Sequence, residues 1–139
     1  MRKLYLLSIC LTIFLLKGFT QKITETCYKN INSDDFNLLI ETKEVILIDV
    51  RFHKEFRKER LNGAKLASSR ESLIPILENK DKNIFVLVYC DEGDRSETAS
   101  QIICNELEFK NVYNLKRGIM DWKKKDYPID YSRITKRKN

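Results

Sequence analysis

The chain has 139 residues, of which 42% are hydrophobic and 33% are charged, so its composition is that of one ordinary globular domain. The formal net charge is +6, but three of the cations (Arg2, Lys3 and Lys17) lie near the N-terminus, and the rest of the chain is only mildly basic. The basic runs 123–125 and 136–138 lack interleaved aromatic residues. We therefore interpret them as a solvated face and a basic tail, and predict no nucleic-acid partner.

The N-terminal segment has the pattern of a secretory signal peptide. Arg2 and Lys3 precede an uncharged run over residues 4–16, and the first acidic residue is Glu25. A membrane span needs about 20 apolar residues, so this run is short for one but suits a signal peptide over residues 1–20. The sequence thus predicts a periplasmic or secreted protein. The alternative is that this segment is not cleaved and anchors the protein in a membrane. No other contact of the protein with a membrane is predicted.

Strands and helices alternate along the rest of the chain. Apolar runs predict strands at 45–50, 64–66, 84–89 and 112–114. Helices are predicted at 33–40, with Ser33 as the cap, and at 54–57, 71–78, 98–107 and 119–124. This alternation predicts an α/β fold with a mostly parallel sheet covered on both sides. Ligands of such sheets bind beyond the carboxyl ends of the strands.

A reactive cysteine is predicted where the strand at 84–89 ends. Cys90 follows that strand, Gly93 permits a tight turn, and Ser96 opens the next helical pattern. Backbone N–H groups converging at such a turn stabilise a thiolate, helped by the positive end of the helix. Arg95 adds a positive charge in reach of the same pocket. We therefore predict that Cys90 is a nucleophile in a surface loop.

The loop C-x-x-G-x-R-S at 90–96 resembles the active-site loop of rhodanese-like sulfurtransferases. Two further segments resemble that family in the same order: L-I-D-V-R at 47–51, and F-K-N-V-Y-N-L at 109–115, followed by Gly118 and Trp122. The resemblance covers about residues 28–130 and implies a rhodanese-like three-layer α/β/α domain. Residues 131–139 are then a basic C-terminal tail.

The resemblance also implies the chemistry. The Cys90 thiolate would take a sulfane sulfur from thiosulfate or a persulfide, hold it as a persulfide, and pass it to a thiol, protein or cyanide acceptor. Asp49 and Arg51 would support the site without touching substrate. No cofactor is implied. The residues predicted to bind substrate are those of the loop itself: Asp91, Glu92, Gly93, Asp94, Arg95 and Ser96.

Two other functions stay open. Asp91, Glu92 and Asp94 oppose thiolate formation and the binding of a dianion, which puts thiosulfate in doubt and leaves room for a non-catalytic module for redox sensing or partner docking. A phosphatase or arsenate reductase is disfavoured, because such loops generally have five residues between Cys and Arg, whereas this loop has four.

The remaining cysteines are not part of the predicted loop. Without the leader, Cys27, Cys90 and Cys104 remain, and an odd number leaves at least one free thiol. Cys104 falls in register with core positions of its helix, so we interpret it as a packing residue. The pairing of Cys27 is not decided by the sequence. Three scattered cysteines and one histidine, His53, show no ligand spacing, so no metal site is predicted.

Overall fold

The computed structural model describes residues 26–133, so the predicted signal peptide and most of the predicted tail lie outside the described residues. Five parallel strands form one sheet in the order β1-β5-β4-β2-β3. The strands are β1 (Lys29–Ile31), β2 (Val45–Asp49), β3 (Lys65–Leu66), β4 (Phe85–Tyr89) and β5 (Asn111–Leu115). All five therefore have their carboxyl ends at one edge of the sheet.

Helices cover both faces of the sheet. They are α1 (Ser33–Thr42), α2 (His53–Lys58), α3 (Arg70–Leu77), α4 (Asp94–Asn105) and α5 (Gly118–Lys124). Side chains of α3 and α4 pack on one face of the sheet, and those of α1 and α5 pack on the other. The predicted three-layer α/β/α architecture is confirmed. None of the helices in residues 26–133 is long and apolar enough to cross a membrane.

The central strands are apolar on both faces, which explains why helices cover both faces of the sheet. In β2, Ile46 and Ile48 contribute to the cluster under α3 and α4, whereas Leu47 contributes to the cluster under α1 and α5. Successive side chains of a strand point to opposite faces, so a continuous apolar run requires cover on each side. The runs that predicted β2 and β4 therefore also indicated both helical layers.

The predicted elements differ from the structure mainly at their ends. Strand β1 was not predicted, because Lys29–Ile31 is short, mostly polar and lies at the sheet edge. The cap of α1 is Asn32, whose side chain accepts the N–H groups of Asp34 and Asp35. The Ser33 hydroxyl instead donates to Asp121 at 2.7 Å. Asn and Ser are both favoured as N-cap residues, so the sequence does not distinguish Asn32 from Ser33 as the cap.

A disulfide joins Cys27 to Cys104, with 5.9 Å between their Cα atoms. Cys104 of α4 lies in the core as predicted, but it also forms this disulfide, which was not predicted. Next to the disulfide, the Tyr28 hydroxyl donates to Glu97 of α4. The segment that leads into β1 is thus fixed to the helix that follows the predicted nucleophile. Cys90 is the free cysteine of residues 26–133.

Candidate active site

Cys90 lies at the carboxyl edge of the sheet, directly after β4 and at the start of the loop that leads into α4. Its Sγ accepts the Gly93 N–H at 3.1 Å and lies 3.4 Å from the Ser96 hydroxyl. The thiol faces Asp94 Oδ1 at 3.6 Å. Two polar donors therefore converge on the sulfur, as a thiolate requires.

The sulfur is buried, whereas the sequence predicted a surface position. Cys90 has 0% of its surface exposed and packs in the apolar cluster with Val50, Leu73 and Ala99. The reason is that the loop folds back over the end of β4, which brings the Gly93 N–H onto the sulfur. A donor must therefore reach Cys90 through a displacement of this loop or of the side chains above it.

The turn between β5 and α5 holds the loop from behind. The N–H groups of Ile119 and Met120 donate to the carbonyls of Cys90 and Asp91 at 2.9 and 3.2 Å. Gly118 has φ +57°, and a Cβ at this position would collide with the Asp91 carbonyl. A side chain at Gly118 would thus push the loop away from the turn, which gives this glycine a steric role in the site.

Asn114 of β5 binds the loop from within the sheet. Its Nδ2 donates to the Gly93 carbonyl at 3.0 Å and to Asn30 Oδ1 at 2.7 Å. Its Oδ1 is buried without a hydrogen-bond partner among residues 26–133, so the amide acts on the loop as a donor. Asn114 was not predicted to belong to the site. The pattern N-V-Y-N-L marks it only as a polar residue inside an otherwise buried strand.

Two other donors to the Gly93 carbonyl leave the Ser96 hydroxyl free to donate its hydrogen bond to Cys90 Sγ. Ser96 Oγ lies 3.1 Å from this carbonyl and 3.4 Å from Cys90 Sγ, but it has one proton to donate. The carbonyl also accepts the Glu97 N–H at 3.0 Å and the Asn114 amide. It therefore stays satisfied when the Ser96 proton turns toward the sulfur.

Replacing Asn114 with alanine is expected to slow alkylation of Cys90 by iodoacetamide about three- to tenfold at neutral pH. The Ser96 proton would then be drawn to the Gly93 carbonyl, and the sulfur would lose one neutral hydrogen bond, worth about 1 kcal/mol. Asn30→Ala is the matched control, because it removes the other partner of the same amide. Equal rates for Asn114→Ala and the unmodified chain, both verified as folded by circular dichroism, would contradict this role.

Asp49 and Arg51 form a buried ion pair beside the loop. The Arg51 guanidinium donates to both Asp49 carboxylate oxygens, at 2.8 to 3.1 Å, and to the Glu59 carbonyl at 2.6 Å. Burial disfavours the charged form of Arg51, but the hydrogen bond and charge of Asp49 outweigh it and raise its pKa. The Arg51 guanidinium also lies 3.5 Å from Asp91 of the loop. The pair therefore ties the end of β2 to the loop without contacting Cys90.

The charge of Arg95 is largely compensated within the protein. Its guanidinium contacts Asp91 at 2.6 Å and Glu55 of α2 at 3.4 Å, and it lies over the ring of Phe52 at 5.2 Å. Glu55 was not predicted to belong to the site. Its position four residues after Arg51 gave no indication that α2 would turn this carboxylate toward the loop.

The two carboxyl groups beside Arg95 titrate differently. Burial opposes ionisation of Glu55, but hydrogen bonds from Asp91, the Phe52 N–H and Arg95 outweigh it and lower its pKa to about 2. Burial, together with the hydrogen bond and charge of Glu55, raises the pKa of Asp91. Asp91 also contacts both Arg51, at 3.5 Å, and Arg95, at 2.6 Å. It thus bridges the two guanidinium groups and is not a free acid at the rim of the site.

Two cavities flank Arg95. The first, a groove of about 350 Å³ between α3 and α4, is lined by the exposed Phe52, by Arg70 and Arg95, and by Val50, Leu73 and Ala99, which belong to the same apolar cluster as Cys90. The second, of about 320 Å³, lies over the loop and α5, and its lining includes the exposed Glu92 and Asp94. The part of the chain described here has no cluster of side chains that could hold a metal ion.

Comparison with known proteins places these observations in a family. The family described as "Rhodanese-like domain" matches residues 32–125, which span all the strands after β1 and the whole candidate site. The chain is 33% identical over 96 residues to a protein named thiosulfate sulfurtransferase GlpE from Coxiella burnetii, covering 69% of this chain and 88% of that protein.

Two further similarities concern larger proteins. A tRNA uridine(34) hydroxylase from Photorhabdus laumondii is 31% identical over 102 residues, and the match spans 68% of this chain but 28% of that protein. The crystal structure of a thiosulfate sulfurtransferase from Pseudomonas aeruginosa superposes with a TM-score of 0.68 at 19% identity, over 75% of this chain and 20% of that one. The second similarity concerns the fold alone.

Proposed function

The chain belongs to the rhodanese-like family, and from this premise we propose that it is a sulfurtransferase with Cys90 as its nucleophile. The observation that carries the proposal is the free cysteine whose Sγ accepts the Gly93 N–H at the carboxyl edge of the sheet. The same amide can hold a sulfur that bears negative charge, in the thiolate or in a persulfide.

The proposed reaction has two displacement steps. The Cys90 thiolate attacks the outer sulfur of the donor, so that a bond forms between Sγ and that sulfur while the donor's own bond to it breaks. With thiosulfate the leaving group is sulfite, and with an organic persulfide it is a thiolate. An acceptor thiolate then attacks the outer sulfur of the Cys90 persulfide, which restores the Cys90 thiolate and leaves a persulfide on the acceptor. No external oxidant or reductant is consumed.

Mass spectrometry of the protein and of its proteolytic peptides tests the proposal. The purified chain is exposed to thiosulfate and, separately, to an organic persulfide, and peptides that contain Cys90 are analysed. A gain of one sulfur atom on Cys90, removed by cyanide or a thiol, is the expected result. No gain with either donor would overturn the proposal and favour a non-catalytic module for redox sensing or docking.

The site favours a persulfide donor over thiosulfate. Two cations line the groove, but Arg95 is paired with Asp91 and Glu55, and Arg70 is paired with Glu106. Six of the other nine lining residues are apolar. Glu92 and Asp94 are exposed over the loop. A dianion would meet repulsion there with little compensation from Arg95, whereas a neutral or protein-borne persulfide would not.

Replacing Glu92 by glutamine and Asp94 by asparagine together is expected to raise kcat/KM for thiosulfate several-fold. Glu92 acts through solvent, so its effect is at most about 1 kcal/mol and shrinks as salt is added. Asp94 Oδ1 also lies 3.6 Å from Cys90 Sγ, so removing its charge additionally favours the Cys90 thiolate. Asp91 is left in place because it bridges Arg51 and Arg95. The control is Glu41→Gln with Glu44→Gln, which removes two exposed charges before β2, at the opposite edge of the sheet. A gain that is equal in both double variants, or insensitive to salt, would refute the electrostatic argument.

We also propose that the protein is exported to the periplasm or secreted. The disulfide between Cys27 and Cys104 supports this, because disulfides persist mainly in oxidising compartments. Cleavage of the predicted signal peptide near Thr20 is the expected processing step. N-terminal sequencing of protein recovered from the cell envelope and from the medium tests it, and intact Met1 in cytosolic protein would contradict it.

A further inference from the structure

Helix α2 and the start of the C-terminal segment form a strongly basic surface. Five exposed side chains, all cationic or imidazole, line one cavity of about 530 Å³ there. We call this the basic surface, and it consists of His53, Lys54, Arg57, Lys58 and Arg133.

The charges of the basic surface are not compensated by its neighbours. Three nearby acidic residues are already paired elsewhere: Glu55 with Arg95 at 3.4 Å, Glu59 with Lys123 at 2.8 Å, and Asp130 with Arg60 at 2.6 Å. Within residues 26–133, the lysines and arginines of the basic surface form no ion pair. Four positive charges therefore face solvent around one depression, which creates a local potential that attracts anions.

The basic surface adjoins the candidate active site through α2 itself. Glu55 extends from this helix to Arg95 of the loop, and Phe52, which precedes the helix, covers the same guanidinium. One short helix therefore carries the basic surface on its exposed side and contacts the loop that covers Cys90 through Glu55.

We propose that the basic surface docks a sulfur-accepting protein whose reactive cysteine is flanked by acidic side chains. This inference rests on the proposed sulfurtransferase function and names the class of acceptor. The acceptor thiolate attacks the outer sulfur of the Cys90 persulfide, so that the acceptor leaves as a persulfide and Cys90 returns to the thiolate. Docking raises the local concentration of that thiol at the site and orients it, without any change in the chemistry.

An acidic protein fits the basic surface better than a nucleic acid does. The residues that line this cavity include no Phe, Tyr or Trp, and His53 supplies the one aromatic ring, whereas single-stranded nucleic acids are generally held by stacking on several aromatic side chains as well as by charge. The disulfide between Cys27 and Cys104 also favours a compartment outside the cytosol. The acceptor in the reaction is a thiol, which proteins supply through cysteine.

The test measures sulfur transfer from persulfidated Cys90 to two matched peptides. Each has a central cysteine, flanked in one peptide by glutamates and in the other by glutamines. The expected result is a preference of about tenfold in kcat/KM for the glutamate peptide at low salt, lost at about 300 mM NaCl. The triple variant Lys54→Gln, Arg57→Gln, Lys58→Gln is expected to lose this preference. The control variant Lys29→Gln, Lys80→Gln, Lys110→Gln removes three exposed cations near the amino ends of the strands and is expected to retain it.

Three results would overturn the inference. The first is an equal rate for both peptides at low salt, and the second is a preference that both triple variants lose alike. The third is tight binding of a fluorescent single-stranded oligonucleotide that the α2 variant abolishes and the control variant keeps, which would assign the basic surface to nucleic acid. Transfer to dithiothreitol is measured in parallel. If dithiothreitol also receives no sulfur, the proposed function fails and not the docking surface alone.

Discussion

Cys90→Ser is expected to abolish sulfur transfer, with a loss of at least about 1,000-fold in kcat/KM for any donor. A serine hydroxyl at this position cannot form a persulfide, so no intermediate carries the sulfur between the two displacement steps. The assay measures sulfite release from thiosulfate, or persulfide formed on an acceptor thiol. Residual transfer within tenfold of the unmodified chain would refute the assignment of Cys90 as the nucleophile.

The same variant is expected to change the free energy of unfolding by no more than about 1 kcal/mol. Although the position is buried, a serine oxygen there would accept the same hydrogen bonds as the sulfur, from the Gly93 N–H and the Ser96 hydroxyl. Ser100→Ala serves as the matched control, since it removes another buried hydroxyl of α4, bonded to the Ser96 carbonyl at 2.8 Å, but leaves the sulfur in place. If the Cys90 variant fails to fold while Ser100→Ala folds, the activity comparison is replaced by selective alkylation of Cys90 in the unmodified chain, which is expected to block transfer to the same extent.

Removing the disulfide with Cys27→Ser is expected to lower the free energy of unfolding by about 4 kcal/mol. The bond closes a loop with a sequence separation of 77, and the entropy that a loop of this size loses in the unfolded state gives a stabilisation of that order. The melting temperature should fall by roughly 10 to 15 °C. Thermal and denaturant unfolding, both monitored by circular dichroism, measure the change.

Reduction provides the control for the disulfide. Dithiothreitol should lower the melting temperature of the unmodified chain to nearly that of Cys27→Ser, and it should leave the variant unchanged. Persulfide formation on Cys90 is expected to persist in the folded variant, because the disulfide does not contact the sulfur. A melting temperature that does not respond to reductant would mean that the bond contributes little to stability.

The structure changes how the charged residues around Cys90 are understood. Arg95 was expected to attract anionic donors, yet it is paired with Asp91 and Glu55 and covered by Phe52. These contacts fix the loop against α2, and the substrate-binding role of Arg95 stays a prediction. On our proposal, selection among donors depends on the groove between α3 and α4 and on Glu92 and Asp94. The acceptor is selected, on our proposal, by the exposed cations of α2.

Local features of the sequence were sufficient to predict the fold and the position of Cys90, the proposed nucleophile, at the end of β4. The apolar runs that became β2 and β4 predicted buried parallel strands, because strands apolar on both faces need helices on each side. The loop at 90–96 joins a strand to a helix through Gly93, which adopts φ +110° and caps α4. A cysteine at that junction lies at the carboxyl edge of the sheet in any such fold.

Only the tertiary structure decided the contacts between residues that are far apart in the chain. Cys27 meets Cys104, Asn114 meets Gly93, and Glu55 meets Arg95 across separations of 77, 21 and 40 residues. Each of these residues has a local pattern that is equally typical of an exposed or unpaired side chain. Periodicity and turn chemistry report on neighbours within about one helical turn or one strand. The partner of a buried amide, carboxylate or thiol is instead selected by how the layers pack, since a buried polar group must find its hydrogen bond wherever the fold brings a complementary atom within reach.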